Sequence, residues 1–310
     1  MDVSAVIVSW NVADYLRRCL ESLRAESGRA SSPSLEVIVV DNASTDGSPD
    51  LVRASYSEVR LLENRDNLGF TRGNNQGMAA ASGRYVLLIN PDAEVLPGAL
   101  AAMVRHLDAH PQVAVVGPQL LNTDGSHQSS RRRFPTLATA FVESTTLQRH
   151  FPNARLLRRY YCLDLPAEET HEVDWLVGAC LLVRRQAIEQ VGLLDEDFFM
   201  YSEELDWCYR MKRAGWKVVY LPEARVVHHH AKSSSQDLPH QHIHFQASKC
   251  RYFSKHHGRL SGGVLRAFLW LTYLFQLVQE SAKYILGHKR ALRRQRLGLL
   301  VQVLRSGLRA

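Results

Sequence analysis

The sequence has few cysteines, and none of them stands in a pattern that forms a metal or disulfide site. Five cysteines are scattered through the 310 residues, and no C-x-x-C pair occurs. An odd, scattered set favours reduced thiols, so a disulfide framework and a zinc ribbon are both excluded. The start, Met1-Asp2, also lacks the basic segment of a signal peptide. Together these absences predict a cytoplasmic location.

Glycine is missing where the common nucleotide-binding loops require it. The first apolar run, Val3–Trp10, predicts a buried strand, and Asn11-Val12-Ala13 follows it without a glycine. A dinucleotide site needs G-x-G-x-x-G at this point, so that backbone can approach a pyrophosphate. No G-x-x-x-x-G-K-[ST] occurs either. A nucleotidyltransferase would need a basic loop here, and Ser9–Ala13 contains no Lys or Arg. These three kinds of site are therefore not expected.

Acidic residues are nearly missing from the end of the chain. Residues 245–310 contain thirteen Lys and Arg but one acid, Glu280, which leaves a net charge of −5 for residues 1–244 out of the total of +7. The apolar stretch Val264–Val278 is shorter than the about 18 residues that span a bilayer. Basic and apolar side chains together favour an anionic membrane surface over nucleic acid. Helices packed on the body or on a second subunit, in a homo-oligomer, are the alternative.

Strand-like and helix-like segments alternate along the body. Strands are predicted over 3–10, 35–40, 59–62, 85–89, 113–116, 175–183, 217–221 and 224–227, and helices over 14–24, 73–81, 97–110 and 202–214, with Pro97 and Ser202 at two helix starts. The segment 129–161 has no clear pattern. The alternation predicts an α/β fold, a mostly parallel sheet with helices on both faces. Ligands of such sheets bind at the carboxyl ends of the strands.

Carboxylates stand at two of these strand ends. Asp41 follows the second strand, where it could accept hydrogen bonds from a ribose or base, or could simply form a turn. Asp92, in Asn90-Pro91-Asp92, follows another buried strand. Mg²⁺ or Mn²⁺ bound to phosphates takes only one or two oxygen ligands from a protein. A turn or cap role for Asp92 is the alternative.

Two further clusters come later in the sequence. Glu203, Glu204 and Asp206 begin a predicted helix, where acids complement the helix dipole and Asp206 could pair with Arg210. The functional interpretation is a general base flanked by a structural acid. His228-His229-His230 ends a strand, and a histidine there can be a metal ligand or a structural residue.

Short sequence motifs, taken in their order along the chain, resemble those of the inverting family 2 glycosyltransferases of GT-A fold, and in particular of their bacterial rhamnosyltransferase-like branch. The matching words cover residues 3 to about 230: VIVSWN (6–11), VVDNASTDGS (39–48), NLGF (67–70), GNNQG (73–77), NPD (90–92), GACLLVRR (178–185), FMYSEELDWCYR (199–210), GW (215–216) and VVHH (226–229). The resemblance implies a GT-A domain over 1–244, with a nucleotide-sugar half to about 118 and an acceptor half after it. A helical, basic tail follows over 245–310.

The resemblance also implies residue roles. Asp41 matches the acid that binds the donor's base, and the other positions in donor-binding words are Asn11, Asn42, Asp46, Asn67, Gly69 and Asn74. Asn90-Pro91-Asp92 matches the D-x-D motif, so Asn90 lies near the ribose and Asp92 holds Mg²⁺ or Mn²⁺ together with His228. His229 is a second candidate for that histidine. Asn90 is a departure from the motif, since the first acid is replaced by an amide.

Glu203 and Glu204 match the family's Glu-Asp pair, whose second residue is the general base. Glu204 departs from the usual Asp and is one methylene longer, so Glu203 is the alternative candidate for the catalytic base. Trp175, Gly178, Ala179 and Asp206 fall where the acceptor site is usually built. The chain is therefore expected to transfer a sugar with inversion to a glycan or polyprenyl-diphosphate-linked acceptor of cell-wall or O-antigen polysaccharide, at the inner face of the plasma membrane. The expected donor is dTDP-L-rhamnose; UDP-galactofuranose, UDP-glucose and UDP-GlcNAc are alternatives, as is a non-catalytic sugar-nucleotide-binding protein. Nucleic acid is not an expected partner.

Overall fold

A mostly parallel sheet lies at the centre of residues 1–229. Its strands are short, β-branched runs with both faces covered, and every residue of the first, Val3–Ser9, is buried. The strands are β1 (Val3–Ser9), β2 (Leu35–Asn42), β3 (Arg60–Asn64), β4 (Tyr85–Ile89), β5 (Ala93–Val95), β6 (Val113–Leu121), β7 (His127–Gln128), β8 (Arg131–Arg132), β9 (His171–Val173), β10 (Trp175–Leu176), β11 (Cys180–Arg184) and β12 (Lys217–His228).

The strand order is β3-β2-β1-β4-β11-β6-β12-β5, with β7 beside β6 and β9 beside β12. The first four strands in this order pair in parallel, as do β6 and β12. β11 is inserted antiparallel between β4 and β6. The predicted mostly parallel sheet is therefore confirmed, with β11 reversed at its middle and β5, β7 and β9 also antiparallel to their neighbours. β8 and β10 form a separate two-stranded sheet.

The computed structural model describes residues 1–145, 148, 154–229 and 238–309, so His230 lies outside the described residues. Contacts divide them into two units. The first comprises Met1–Phe134, Tyr161–Asp197 and the described part of Glu203–Ser233. The second comprises Phe198–Ser202 and the described parts of Pro135–Tyr160 and Ser234–Ala310.

Helices cover both faces of the sheet, as predicted. The helices are α1 (Ala13–Ser27), α2 (Ser48–Ser55), α3 (Gly69–Ala80), α4 (Ala99–Ala109), α5 (Leu137–Glu143), α6 (Arg155–Tyr160), α7 (Arg185–Val191), α8 (Glu203–Arg213), α9 (Leu238–His257), α10 (Arg259–Ile285) and α11 (Arg290–Arg305). Ile7 of β1 packs in one core cluster with Leu16 of α1, whereas Val8 packs on the other face with Phe70 of α3. Successive residues of a strand point to opposite faces, so β1 serves both layers.

Several predicted elements have other bounds in the structure; the helix predicted over 73–81 is α3, Gly69–Ala80, and the strand predicted over 113–116 is β6, Val113–Leu121. The run 175–183 is two strands, β10 and β11, separated by a turn at 177–179 and belonging to different sheets. The two short strands at 217–227 are one strand, β12, with a register shift between Leu221 and Arg225. Ser202 directly precedes α8, which begins at Glu203. Its φ of 64° is left-handed, whereas an N-cap residue usually has an extended backbone.

Glycines let α3 lie close against β1. A Cβ added at Gly77 would lie 2.2 Å from Cγ1 of Val6, and one at Gly73 would lie 2.8 Å from Cγ1 of Val8. We expect Gly77→Ala to lower the free energy of unfolding by about 1–3 kcal/mol, since an overpacked core must shift. Gly263→Ala in α10 is the control, since its Cβ would meet nothing within 4 Å in the described chain. That change is expected to be neutral or to stabilise by up to about 1 kcal/mol. Urea denaturation followed by circular dichroism measures both, and equal effects would contradict the packing argument.

The second unit is helical, and its extent differs from the predicted tail. The boundary predicted after residue 244 falls inside α9, because α9 packs on segments from earlier in the chain. The hydroxyl of Ser248 donates to the carbonyl of Met200 at 2.8 Å, and the ring of His244 stacks on Phe199. Within the described residues, α10 is long and apolar enough by length and composition to cross a membrane, with a mean hydropathy of 1.2 over 18 residues. The helices predicted in the tail are confirmed.

Candidate active site

The loops after β1 and β2 are tied together by hydrogen bonds. Asn11, with a left-handed φ of 52°, accepts from the backbone N–H of Thr45 at 2.8 Å through Oδ1. Asp46 accepts from the N–H of Ala13 at 2.7 Å and from the hydroxyl of Ser48 at 2.6 Å. Burial opposes ionisation of Asp46, but these hydrogen bonds outweigh it and lower its pKa. Asn11 and Asp46 therefore shape the loops, and their contact with a donor stays a prediction.

Asp41 presents an open acceptor at the end of β2. Its side chain is buried, and Oδ1 accepts from the N–H of Ser44 at 2.8 Å. Oδ2 is buried without a hydrogen-bond partner in the part of the chain that the structure describes. Burial raises the pKa of Asp41, against the hydrogen bonds from Ser44. A buried acceptor without a partner is costly, and an N–H of a bound ligand would satisfy it.

The other predicted donor residues are engaged with the start of α3. The Asn42 amide donates to the carbonyl of Gly69 at 3.0 Å, and the Asn67 carbonyl oxygen accepts from the N–H of Gly69 at 3.0 Å. Asn74 is buried and donates to the carbonyl of Phe70 at 2.9 Å. Gly69 has a φ of 85°, which glycine adopts without strain. These contacts are structural, and donor binding by the four residues stays a prediction.

Asn90, Asp92 and His228 come together at the ends of β4 and β12. Nε2 of His228 lies 3.3 Å from Oδ1 of Asp92 and 3.3 Å from Nδ2 of Asn90. Asp92 and His228 are both buried. Oδ1 of Asn90 is buried and lacks a hydrogen-bond partner among the described residues. His229 faces elsewhere, since its Nε2 lies 2.6 Å from Oε1 of Glu94. Of the two histidine candidates, the structure brings His228 to Asp92.

Glu203, which is buried, and Glu204, which is partly buried, form an acidic pair at the start of α8. Burial raises the pKa of Glu203 well above its ordinary range, and the charge of Glu204 raises it further. Burial also raises the pKa of Glu204, against backbone hydrogen bonds and the charge of Arg132. Oε1 of Glu204 accepts weakly from the N–H of Gly178 at 3.4 Å. Within the described ranges, Oε2 of each glutamate is buried without a hydrogen-bond partner.

The pH dependence of thermal stability should reveal the raised pKa of Glu203. The raised pKa of Glu203 means that the folded state holds the proton more tightly than the unfolded chain does. The resulting stabilisation is complete below the unfolded pKa of about 4.3 and is lost as pH rises through the folded pKa. Glu203→Gln removes this titration, so its Tm should rise relative to that of the unmodified chain between about pH 4 and pH 8. Thermal unfolding monitored by circular dichroism tests this, and a constant difference across that range would contradict it.

The predicted acceptor residues divide into two groups. Gly178 and Ala179 lie in the turn before β11, where the carbonyl of Ala179 accepts from the N–H of Asn90 at 2.9 Å. They therefore connect the Asp92 cluster with Glu204. Asp206 is fully buried and paired with Arg210 at 2.8 Å, the alternative left open by its spacing. Trp175 is buried and donates to the carbonyl of Arg133 at 3.0 Å. Acceptor contacts by these residues stay predictions.

Two neighbours of the site were not predicted, and both lie after β6 in a stretch where no strand or helix was predicted. Gln128 in β7 accepts from or donates to Nδ1 of His228 at 2.7 Å. Arg132 in β8, paired antiparallel with Trp175, contributes a positive charge near Glu204. The two-residue strands carry no periodic signal, so only the density of arginines at 131–133 could have indicated the second.

Comparison with known structures identifies the fold. The mannosyltransferase PcManGT from Pyrobaculum calidifontis, in complex with GDP-Man and Mn²⁺, aligns with a TM-score of 0.57 at 18% identity, over 99% of this chain and 86% of that one. Together with the sheet order and the polar residues at its strand ends, this likeness establishes the GT-A fold of glycosyltransferases.

Sequence comparison identifies the family. The sequence model described as Glycosyl transferase family 2 matches residues 4–192. The N-acetylglucosaminyl-diphospho-decaprenol L-rhamnosyltransferase of Mycobacterium tuberculosis (strain ATCC 25618 / H37Rv) is 35% identical over 243 residues, 75% of this chain and 77% of the relative. Rhamnosyltransferase WbbL of Escherichia coli (strain K12) is 26% identical over 246 residues, 75% of this chain and 86% of the relative. The chain belongs to glycosyltransferase family 2 and to its rhamnosyltransferase-like branch, as its sequence words predicted.

Proposed function

We propose that this glycosyltransferase moves a sugar, with inversion, from a nucleoside-diphosphate donor to a hydroxyl of a polyprenyl-diphosphate-linked or glycan acceptor. One observation carries the proposal: a single turn, Gly178-Ala179, hydrogen-bonds Glu204 on one side and Asn90, beside Asp92 and His228, on the other. The mycobacterial relative is an L-rhamnosyltransferase that acts on N-acetylglucosaminyl-diphospho-decaprenol, which supports a rhamnosyl donor and a polyprenyl-linked acceptor. We take dTDP-L-rhamnose as the proposed donor.

The Asp92 cluster fits a divalent cation, Mg²⁺ or Mn²⁺. It offers one carboxylate, one imidazole nitrogen and the unsatisfied Oδ1 of Asn90. Among the described residues there is no group of three or more His, Cys, Asp or Glu side chains that could hold a metal. A cation here would therefore take its remaining ligands from water and diphosphate oxygens, as Mg²⁺ usually does. Such a cation, when bound, neutralises charge on the leaving diphosphate.

Glu204 is the proposed general base. The acceptor oxygen forms a bond to the anomeric carbon while the bond from that carbon to the diphosphate oxygen breaks, and the hydroxyl proton passes to Glu204. Attack from the face opposite the leaving group inverts the anomeric configuration. The buried Oε2 of Glu204 is available to take this proton, because it makes no hydrogen bond within the described chain. Arg132 favours the ionised form that this role needs.

A donor panel tests the proposed function. The purified chain is incubated with Mn²⁺ or Mg²⁺, a bacterial lipid extract and one of dTDP-L-rhamnose, UDP-galactofuranose, UDP-glucose or UDP-GlcNAc, and release of nucleoside diphosphate is followed. We expect release from dTDP-L-rhamnose that requires both the extract and the cation. Preference for a UDP-sugar would keep the chemistry and replace the donor. Binding of dTDP-L-rhamnose without release in any extract would favour a non-catalytic sugar-nucleotide-binding protein.

The second unit carries a surface suited to an anionic membrane, and we propose peripheral attachment to the cytoplasmic face of the plasma membrane. Large apolar side chains recur every three, four or seven residues on the exposed face of α10: Leu260, Val264, Leu271, Phe275, Val278 and Ile285. Exposed basic residues, among them Lys289, Arg290 and Arg294, follow in the sequence. Glu280, the one acid of 245–310, is buried and paired with Arg293 at 2.6 Å. An apolar stripe accompanied by positive charge fits anionic headgroups.

Vesicle sedimentation tests this surface. The double variant Leu271→Glu/Phe275→Glu should bind phosphatidylglycerol vesicles at least about tenfold more weakly, since each large apolar side chain contributes about 1.5–3 kcal/mol when buried. Leu163→Glu, at an exposed leucine of the first unit, is the matched control and should bind normally. The unmodified chain could instead fail to bind vesicles and form a dimer, with the double variant monomeric. In that case a second copy covers the apolar stripe and the membrane proposal is wrong.

A further inference from the structure

The hairpin formed by β6 and β7 places Gln128 beside the ring of His228. We propose that Gln128 is a positioning residue that locks His228 in the tautomer protonated at Nδ1, so that Nε2 presents its lone pair to Asp92 and Asn90. The inference rests on the proposed cation site, which needs that lone pair. A neutral imidazole has one N–H donor and one acceptor nitrogen, and the hydrogen bond at one nitrogen decides the role of the other.

The direction of the hydrogen bonds can be followed from a carboxylate at the tip of the hairpin. Hydrogen bonds from Ser126 lower the pKa of Asp124, so this carboxylate is ionised and can only accept. The Ser126 hydroxyl therefore donates to Asp124 at 2.6 Å and accepts from Nδ2 of Asn122 at 2.9 Å. Oδ1 of Asn122 then accepts from Nε2 of Gln128 at 2.9 Å. Only Oε1 of Gln128 remains to face Nδ1 of His228, at 2.7 Å, and it must accept.

A second contact fixes the same orientation of the Gln128 amide independently. Nε2 of Gln128 lies 3.2 Å from the backbone carbonyl oxygen of His228. A carbonyl oxygen cannot donate, so the atom that faces it must be the amide nitrogen. Rotating the amide by 180° would place oxygen against oxygen at this contact. Gln128 is therefore held as an acceptor toward Nδ1 by two separate partners.

The other side of the ring is balanced between a donor and an acceptor. Nδ2 of Asn90, which can only donate, and Oδ1 of Asp92, which accepts when ionised, each lie 3.3 Å from Nε2 of His228. The contact between Gln128 and Nδ1 is therefore what selects Nε2 as the acceptor. Metal-ligating histidines depend on such a partner at the second ring nitrogen, and its loss typically reduces metal affinity about 10–100-fold. Gln128 has the geometry of that partner.

The tautomer can be measured without any metal. Long-range ¹H–¹⁵N spectra of the full chain at about pH 8, where an ordinary imidazole is neutral, distinguish a protonated from an unprotonated ring nitrogen. The His228 signal is assigned by its absence in His228→Asn. We expect Nδ1 to be protonated in the unmodified chain. In Gln128→Met, which has similar length but no amide oxygen, we expect the proton to move to Nε2, where the Asp92 carboxylate accepts it. Protonation at Nε2 in the unmodified chain, or an unchanged tautomer in Gln128→Met, would overturn the proposal.

Rescue and affinity separate positioning from a general loss of structure. Gln128→Glu keeps an acceptor oxygen at Nδ1 and should keep the proton there, although it loses the amide donor to the carbonyl oxygen of His228 and should lower the Tm. Gln186→Met in α7 should behave as the unmodified chain. Mn²⁺ affinity, measured by electron paramagnetic resonance with a nucleoside diphosphate present, should fall about 10–100-fold in Gln128→Met and in neither of the other two. Unaltered affinity in Gln128→Met would also overturn the role. If Gln128→Met shifts the tautomer but the unmodified chain does not bind Mn²⁺, the positioning role of Gln128 is supported and the proposed cation site is wrong. The two proposals can therefore fail separately.

Discussion

Glu204→Gln is expected to reduce kcat by roughly 10²–10⁴-fold, the range that a general base supplies, while the affinity for nucleoside diphosphate stays unchanged. The amide retains the size of the glutamate and can still contact the N–H of Gly178 through its oxygen, so the loss isolates proton transfer. Steady-state release of nucleoside diphosphate and calorimetric titration of the nucleotide provide the two readouts. A variant that kept more than a tenth of the activity would exclude Glu204 as the base.

The pH dependence of the transfer activity should also reflect Glu204. Glu204 must be ionised to accept a proton, and burial raises its pKa above the ordinary glutamate range. Activity should therefore fall as pH falls through a value higher than that of an exposed glutamate. The Glu204→Gln variant should lose this acidic limb altogether. A limb that persisted in the variant would belong to another group.

Two neighbouring substitutions serve as controls for the base. Glu203→Gln should retain most of the activity, because burial raises the pKa of Glu203 well above its ordinary range and so disfavours the ionised form that a base needs. Glu204→Asp restores the residue that the family usually carries but withdraws the carboxylate by one methylene. Because a displacement of about 1 Å can cost about 10²-fold, a large loss would show that this site is built for the longer side chain. An increase would mean that the glutamate itself limits the rate.

Asp92→Asn is expected to reduce kcat/KM by about 10³-fold or more, since a Lewis-acid cation contributes several kcal/mol to such a reaction. The change replaces the carboxylate that faces His228 with an amide and removes the charge that a hard cation requires. Mn²⁺ titration by electron paramagnetic resonance should show a parallel loss of affinity. Full activity in the variant, or full activity of the unmodified chain in EDTA, would rule out a cation at this position.

The adjacent histidines provide a matched control for the same site. His228→Asn should weaken Mn²⁺ binding and activity, because Nε2 of His228 lies beside Asp92. His229→Asn should leave both nearly unchanged, because the His229 ring is paired with Glu94 while its backbone N–H bonds the carbonyl of Asp92. Equal effects of the two substitutions would contradict the assignment of His228.

Sequence patterns predicted the parallel half of the sheet because its strands are local features. The apolar runs at β1, β2 and β4 have the buried, β-branched pattern of parallel strands, and the turn-forming residues after them indicate where they end. The ordered words then identified the family. The reversal of β11 was not predicted, since hydrophobicity shows that a strand is buried but not which way it runs.

The site was predictable only in outline. Asp41, Asp92 and Glu204 stand at strand or helix ends that the sequence reveals, whereas the partners of each side chain depend on contacts distant in sequence. Asp46 and Asp206 illustrate this limit. Their carboxylates have the appearance of ligand-binding groups, yet the structure engages one with the N–H of Ala13 and the other with Arg210.

The reversed strand β11 places the Gly178-Ala179 turn, which contacts Glu204, beside the turn that carries Asp92. Cys180 pairs with Ile89, so the turn that precedes β11 and the turn that follows β4 leave the sheet at the same edge. The backbone bond between Asn90 and Ala179 joins these turns. We therefore expect a displacement of one turn to be shared by the other, so that the separation between Asp92 and the Gly178-Ala179 turn varies less than the position of either. In the proposed reaction, backbone hydrogen bonds would then maintain the spacing between the leaving group and the base.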